Sequence, residues 1–372
     1  MNKKLKVLPV LAMGLMLVAC NGTGTSSSTK PATNEEVNFT LKVGSYVALG
    51  SNANQIEVST AAVILKGEKI VDAYFDVLQA PFKIDSTTDK KTEKVTYTVS
   101  LDTTKNQTKD AGDKVIETKQ ELKTRYGMAS TAAEGEWNVQ AANFAKYTVG
   151  KTIDEVTSKN YKSHYNKDGT EVVTGCSISQ KNFTTALKVI TDTKTFKAPA
   201  GKVSVGLGYK VSALSKNVLT VTLAGSATDK DGKIYETSIN AYQIPVTVDG
   251  TKVTEPKIAI DTTKTQTKAE NFKGHTVESE ANKYYTSVLS KRELKELYAM
   301  KESATAGEWF TQADNFAKYA KGKVASEIAG KTYKSNHNPN GTVEVPGCTI
   351  TMEDFAVAAG NSFTNKSGLT AK

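Results

Sequence analysis

Hydrophobic and polar positions along this chain follow two programmes, each written twice. The stretches VNFTLKVGSYVAL from Val37, EVSTAAVILK from Glu57, KVSVGLGYKVSAL from Lys202 and VLTVTLAGSA from Val218 are rich in β-branched residues and alternate with a period near two. Glycine-containing turns such as DKDGK (Asp229 to Lys233) break them, so antiparallel strands are predicted. The charged segments VIETKQELKTRYGM from Val115 and TSVLSKRELKELYAM from Thr286 predict helices. A longer helix runs through Asn143–Tyr147 or Asn315–Tyr319 and stops near Gly150 or Gly322. A short helical turn at Ile153–Val156 or Ala325–Ile328 then leads to a final strand-plus-helix, VVTGCSISQKNFTTAL from Val172 or VEVPGCTITMEDFAVAA from Val343. Strands first and helices afterwards predict an α+β fold, each copy an antiparallel sheet with helices packed on it.

The repetition is specific. Residues 126–178 set against 298–350 without a gap give 27 identities in 53 positions. Upstream, LDTTKNQTK at Leu101 resembles IDTTKTQTK at Ile260, with about 13 additional residues in the second copy near Gly274 to Thr286. Earlier still, residues 67–85 parallel residues 231–249. A period this long is a duplicated domain rather than a solenoid repeat. The expected organisation is a first domain over 37–198 and a second over 199–372.

The first residues change the picture of where these domains work. Lys3, Lys4 and Lys6 precede an apolar stretch of 13 residues, Val7 to Ala19, too short to span a bilayer and suited to a signal segment over 1–19. It ends Leu17-Val18-Ala19-Cys20, the pattern of a bacterial lipobox, so Cys20 is the expected lipidation site. The segment 20–36 is rich in Ser, Thr, Gly and Asn and predicts a flexible tether with a reach of about 20 Å. The formal charge of +9 falls to +6 when the three signal lysines are removed. The remaining lysines are scattered among acids and threonines, which argues for a solvated surface and against a nucleic-acid partner. Besides Cys20 the chain has only Cys176 and Cys348, and its three histidines are far apart in sequence, so no haem, iron–sulfur or zinc motif is present.

The most specific phrase is ASTAAEGEW from Ala129 and its counterpart KESATAGEW from Lys301, each holding one of the two tryptophans. Thr131 aligns with Ser303, the one position ahead of the tryptophan that bears a hydroxyl in both copies. Ser130 and Thr305 are hydroxyls of one copy only. By residue type alone these hydroxyls are candidate helix N-caps. Trp137 and Trp309 either contact a ligand at the phrase or anchor the helix to the sheet; aromatic residues at helical spacing favour anchoring, and Phe144, Tyr147, Phe316 and Tyr319 read as core. Cys176 and Cys348, one per copy, are expected as separate buried thiols, with an inter-domain disulfide as the alternative.

Ser303-Ala304-Thr305 resembles the attachment motif of FMN-binding domains, with alanine in place of glycine. Lipobox, duplication, YGMASTAAEGEW…FAKYTVGKT and YAMKESATAGEW…FAKYAKGKV together resemble the PplA-type flavinylated lipoproteins of Gram-positive extracellular electron transfer. The resemblance implies two FMN groups per chain, each joined through its phosphate to a hydroxyl, with Thr131 and Ser303 as acceptors and Ser130 and Thr305 as alternatives. It also implies an ApbE-like FMN transferase as partner, so that the chain is that enzyme's substrate and is not itself an enzyme. The implied role is an electron carrier, lipid-anchored on the outer face of the cytoplasmic membrane. It would pass electrons from quinone-linked donors to extracellular acceptors such as ferric iron. The contrasting expectation is a cofactor-free extracellular binding or signalling lipoprotein whose signal segment supplies a hydrophobic pheromone.

Overall fold

The computed structural model describes residues 35–50, 54–104, 116–212, 214–249, 256–261, 288–302 and 304–371. The signal segment, Cys20, most of the tether, the inserted segment near Gly274 and Ser303 lie outside them. From Glu35 onward the chain forms one compact unit.

Strand signals dominate each half and produce two antiparallel sheets. The first has the order β4-β3-β2-β1-β5, with β1 (Glu36–Leu49), β2 (Gln55–Lys66), β3 (Lys69–Thr88), β4 (Val95–Leu101) and β5 (Ile190–Pro199). The second has the order β6-β7-β8-β9, with β6 (Ser204–Val211), β7 (Val218–Thr228), β8 (Ile234–Asp249) and β9 (Lys257–Ile260). The long strands β3 and β8 change partner at a proline. β3 pairs with β2 up to Pro81 and with β4 from Phe82; β8 pairs with β7 up to Pro245 and with β9 from Val246. Proline has no N–H for the ladder, so it stands where one pairing ends and the next begins. Of the C-terminal residues, Lys366 bridges Gly206 of β6 and Ala371 bridges Val203 just ahead of it, on the side where β5 flanks β1 in the first sheet.

Helices lie between and after the strands: α1 (Lys119–Leu122), α2 (Trp137–Thr148), α3 (Ile153–Thr157) and α4 (Lys181–Lys188) in the first half. In the second are α5 (Lys291–Leu294), α6 (Trp309–Ala320), α7 (Ala325–Ile328) and α8 (Glu353–Thr364). Among the described residues the core has three clusters. One is shared by the two sheets and mixes Phe39, Leu41 and Val58 with Leu207, Val221 and Leu223. The second places Val63, Phe75, Trp137, Phe144 and Phe183 between the first sheet and its helices. The third does the same with Ile239, Trp309, Phe316, Tyr333 and Phe355. Each sheet is therefore covered on both faces, by the other sheet and by helices, which explains the nearly continuous burial of β2. Gly206 lets α8 press on β6: a Cβ there would stand 2.1 Å from the carbonyl oxygen of Ser362.

Two expected elements differ. The helices predicted from Val115 and Thr286 shrink to one α-helical turn each. Lys123 (φ 48°) and Lys295 (φ 49°) break the α-helical path, and a 3-10 turn follows. The strand predicted over VVTGCSI is an irregular loop. The N–H groups of Ser177 and Ile178 bond to the side chain of Gln140, so no ladder forms there. The same holds for Thr349 and Ile350 with Gln312.

Candidate functional site

The hydroxyl phrase is a framed turn between two helices. Thr118 opens α1 with a capping box: it accepts from the Glu121 N–H at 3.3 Å, while the Glu121 carboxylate accepts from the Thr118 N–H at 2.8 Å. Ser290 and Glu293 repeat the arrangement at α5. After the broken turn, Gly127 takes a left-handed conformation (φ 76°). Its counterpart Ala299 does the same at φ 55°, at a cost of about 1 kcal/mol. Residues Met128–Ser130 then form a short 3-10 turn that Thr131 closes, its N–H donating to Met128 O at 2.9 Å.

The expected capping role is not found. Thr131 lies upstream of Gly135, whose φ of 85° separates the turn from α2, and the N-cap of α2 is Glu136. Neither hydroxyl bonds to an orphan helix N–H. Thr131 Oγ1 donates to Met128 O at 3.2 Å and Ser130 Oγ to Gly127 O at 2.9 Å. Both residues are exposed, as is Thr305 in the second turn. A group attached to Thr131 would stand on a surface turn, not on a helix dipole as the helix-start placement implied.

Three buried side chains hold the turn. The Glu136 carboxylate accepts from the N–H groups of Met128 at 3.0 Å and Ala129 at 3.2 Å; Glu308 accepts from Met300 at 3.0 Å. Gln140, fully buried, donates to Gly135 O at 2.9 Å and accepts from Ser177 N–H at 2.9 Å. Gln312 makes the same bonds to Gly307 O and Thr349 N–H at 2.9 and 2.8 Å. The Lys119 ammonium sits between the rings of Tyr126 and Trp137, at 5.1 and 5.4 Å. Lys291 repeats this between Tyr298 and Trp309 at 4.6 and 5.4 Å. Burial pushes the Lys291 ammonium down to about 8, with Asp354 opposing the shift. A cation between two aromatic faces ties the two ends of the phrase together.

Trp137 and Trp309 are 4% and 3% exposed and pack edge-on against Phe183 and Phe355. In these positions they anchor α2 and α6 to the sheets. Cys176 and Cys348 are both free and buried, each in the helix-side cluster of its own half. Burial raises their thiols to about 11 and about 12. Among the described residues no group of three or more His, Cys, Asp or Glu is placed to hold a metal ion.

Glu136, Gln140 and Lys119 were not singled out by sequence reasoning, although each recurs at the equivalent position of the second copy. Identical polar residues inside a repeat were the available signal. The phrase fits a covalently held flavin in its donor set: an exposed hydroxyl on a stiff turn with small neighbours. The second half also carries a half-open groove of about 460 Å³ lined by Lys334, Ser335, Asn336, Pro339, Glu344, Cys348 and Thr349, none of them in the phrase. Set against family models, curated proteins and solved structures, the chain matches none of them.

Proposed function

We propose that this protein is a lipid-anchored extracellular electron carrier bearing covalent FMN on Thr131 and Ser303. The observation that carries this reading is the exposed Thr131 hydroxyl on a turn that Glu136, Gln140 and Lys119 hold from below. A transferase needs an acceptor it can reach, and an acceptor on a stiff turn gives the attached group a fixed root. In attachment, the Thr131 hydroxyl attacks the FMN-side phosphorus of FAD. The pyrophosphate P–O bond breaks, AMP leaves, and the hydroxyl proton passes to a base of the transferase. Covalent attachment suits an extracellular site, since a freely bound flavin would be lost by mass action as its concentration falls. When attached, the flavin supplies two-electron acceptance and stepwise electron release. The chain supplies the root, the exposure and the membrane tether, with a quinone-linked donor on one side and an acceptor such as ferric iron on the other.

Intact-mass measurement of the mature protein, co-expressed with an FMN transferase and followed by peptide mapping, tests the reading. One adduct per phrase is expected, on Thr131 and Ser303. Adducts on Ser130 or Thr305 would move the acceptor within the phrase. No adduct on either phrase, with the transferase active on another substrate, would refute the proposal in favour of a cofactor-free binding protein.

A further inference from the structure

We propose that the outer face of α2, with the adjoining loop 161–172, is a docking surface that seats the first half on an anionic lipid bilayer; this rests on the lipid-anchored reading above. Among the described residues five large apolar side chains stand exposed, all in the first half. Four belong to this face: Val139 at 47%, Val149 at 41%, Tyr165 at 84% and Val172 at 66% exposure. Single exposed apolar residues are ordinary, but these four differ from the second half at every position. Thr311, Lys321, His337 and Glu344 stand in their places. Along α2 the exposed positions Val139, Ala142, Lys146 and Val149 are spaced i, i+3, i+7 and i+10 and form one stripe. The same stripe on α6 reads Thr311, Asp314, Lys318 and Lys321. There Asp314 pairs with Arg292 and Lys194, and Lys321 with Glu236. The second half turns a polar stripe outward where the first turns an apolar one.

The loop is fastened to α2. Tyr147 OH donates to the Glu171 carboxylate at 2.7 Å, and the Asn143 amide donates to Gly175 O at 2.9 Å. Stripe and loop therefore share the outer layer over the first sheet. Tyr165 stands in the loop between Lys162 and Lys167, all three exposed, and its ring meets His164 edge-on at 5.2 Å. The equivalent stretch of the second half, Lys334 to Pro339, lacks both the tyrosine and the second lysine. A ring with a polar tip, flanked by ammonium groups, suits the headgroup level of a bilayer. Lysines set beside valines add attraction to anionic lipid while their stems lie along apolar surface.

Where the chain enters the folded unit favours the same partner. β1 begins at Glu36; its Thr40 pairs with Leu65 of β2, and Leu65 pairs with Ile70 of β3. The Ile70 N–H donates to Lys151 O and Ile70 O accepts from Gly150 N–H, both at 2.8 Å, just beyond α2. The start of β1 and the Val149 end of the stripe thus stand at one end of the first sheet, where β1 and β3 are about 10 Å apart. A tether of about 20 Å reach entering there keeps this face within contact distance of the membrane. At the roughly millimolar effective concentration that a short tether gives, a weak surface affinity is enough to hold the face down. The second half, with its polar stripe, stays in water.

The test uses the full mature chain with its lipid, reconstituted in phosphatidylcholine vesicles with and without phosphatidylglycerol. Ala142→Cys or Thr311→Cys carries a nitrobenzoxadiazole label; Cys176 and Cys348 are buried and are expected not to take it. Intact mass first reports the lipid, and its absence overturns the anchored reading and the docking with it. With the lipid present, nitroxide-bearing lipids are expected to quench the label at 142 several-fold more than at 311, and more strongly with phosphatidylglycerol. Val139→Thr, Val149→Lys, Tyr165→His and Val172→Glu together give the first half the second half's residues at exposed positions. This variant is expected to abolish the difference, with thermal midpoint and vesicle association unchanged. Equal quenching at 142 and 311 in phosphatidylglycerol vesicles, or quenching at 142 unaltered in the variant, would overturn the docking while leaving the anchor standing. A label at 142 shifted to the blue but not quenched would give the face to a second copy of the chain and likewise overturn it.

Discussion

Asp76 and Asn240 hold equivalent places in the two sheets and make the same backbone bonds with different chemistry. Asp76 Oδ1 accepts from Val77 N–H at 2.7 Å and Gln120 N–H at 3.2 Å. Asn240 Oδ1 accepts from Ala241 N–H at 2.8 Å and Arg292 N–H at 3.3 Å. An amide thus performs the task given to a carboxyl group in the other half. Asp76 is fully buried, and among the described residues its Oδ2 has no hydrogen-bond partner. Burial, reinforced by the facing charge of Glu121, pushes its carboxyl from 3.8 up to about 7; Tyr74 and Tyr209 face the same group. Between those two values the folded chain holds a proton that the unfolded chain releases, so stability falls as pH rises. The contribution is fully present below 3.8 and is lost as pH climbs through about 7. At about 1.4 kcal/mol per pH unit the whole loss is about 4 kcal/mol. Asp76→Asn is neutral throughout. It should match the parent near pH 4 and exceed it by up to about 4 kcal/mol near pH 8. Asp72, also raised to about 7 by burial, is common to both proteins and cancels from the difference. Urea unfolding at several pH values between these limits measures it. A difference that stays flat with pH, or a variant less stable than the parent near pH 8, would show that Asp76 is ionised in the native state and refute the reasoning.

Two further outcomes follow from the framed turn and the buried thiols. Gln140→Ala leaves the N–H groups of Ser177 and Ile178 and the carbonyl of Gly135 without their partner. It should cost about 3 kcal/mol and speed amide hydrogen exchange over residues 128–135 and 176–180, and unchanged exchange there would separate the glutamine from the turn. Cys176 and Cys348, with thiols raised to about 11 and about 12, should resist iodoacetamide near neutral pH in the folded protein and react fully once it is unfolded.

Much of the fold was legible because the strands and the long helices carry their signals locally. The short helix at Ile153, the helix carrying the tryptophan and the buried Phe144 and Phe316 all stand where the pattern put them. The broken helix after Leu122 was not legible: Lys119 to Lys123 are all good helical residues, and the break depends on a positive φ at a lysine, which composition does not forecast. The missing strand around Cys176 has a similar cause. Its valines and isoleucine suit a ladder, but its N–H groups meet a glutamine from a helix 37 residues earlier in the chain. At the candidate site the hydroxyls were legible and their surroundings were not. Thr131 reads as a cap by residue type, and only the placement of Gly135 shows that the cap belongs to Glu136.

The pattern of agreement between the halves separates what the phrase needs from what the packing of the halves needs. Around the phrase the same residues serve twice: Lys119 and Lys291, Glu136 and Glu308, Gln140 and Gln312, Asn143 and Asn315. Where one half touches the other, equivalent positions differ. Asp72 accepts from Val205 N–H at 2.8 Å and Ser367 Oγ at 2.6 Å across the sheets, whereas Glu236 in its place faces Lys321 of its own half at 3.5 Å. Gln120 spends its amide on Phe75 O, whereas Arg292 bonds Ile239 O and also pairs with Asp192 and Asp314. Helix capping alone would not call for this division. A cap needs one oxygen, while each phrase retains a carboxylate, an amide and an ammonium, and the ammonium stands against aromatic faces at a desolvation cost. Groups that are costly to bury and identical in both halves belong to a demand each phrase meets separately. Holding a turn still for an attached group is such a demand, and docking two sheets together is not.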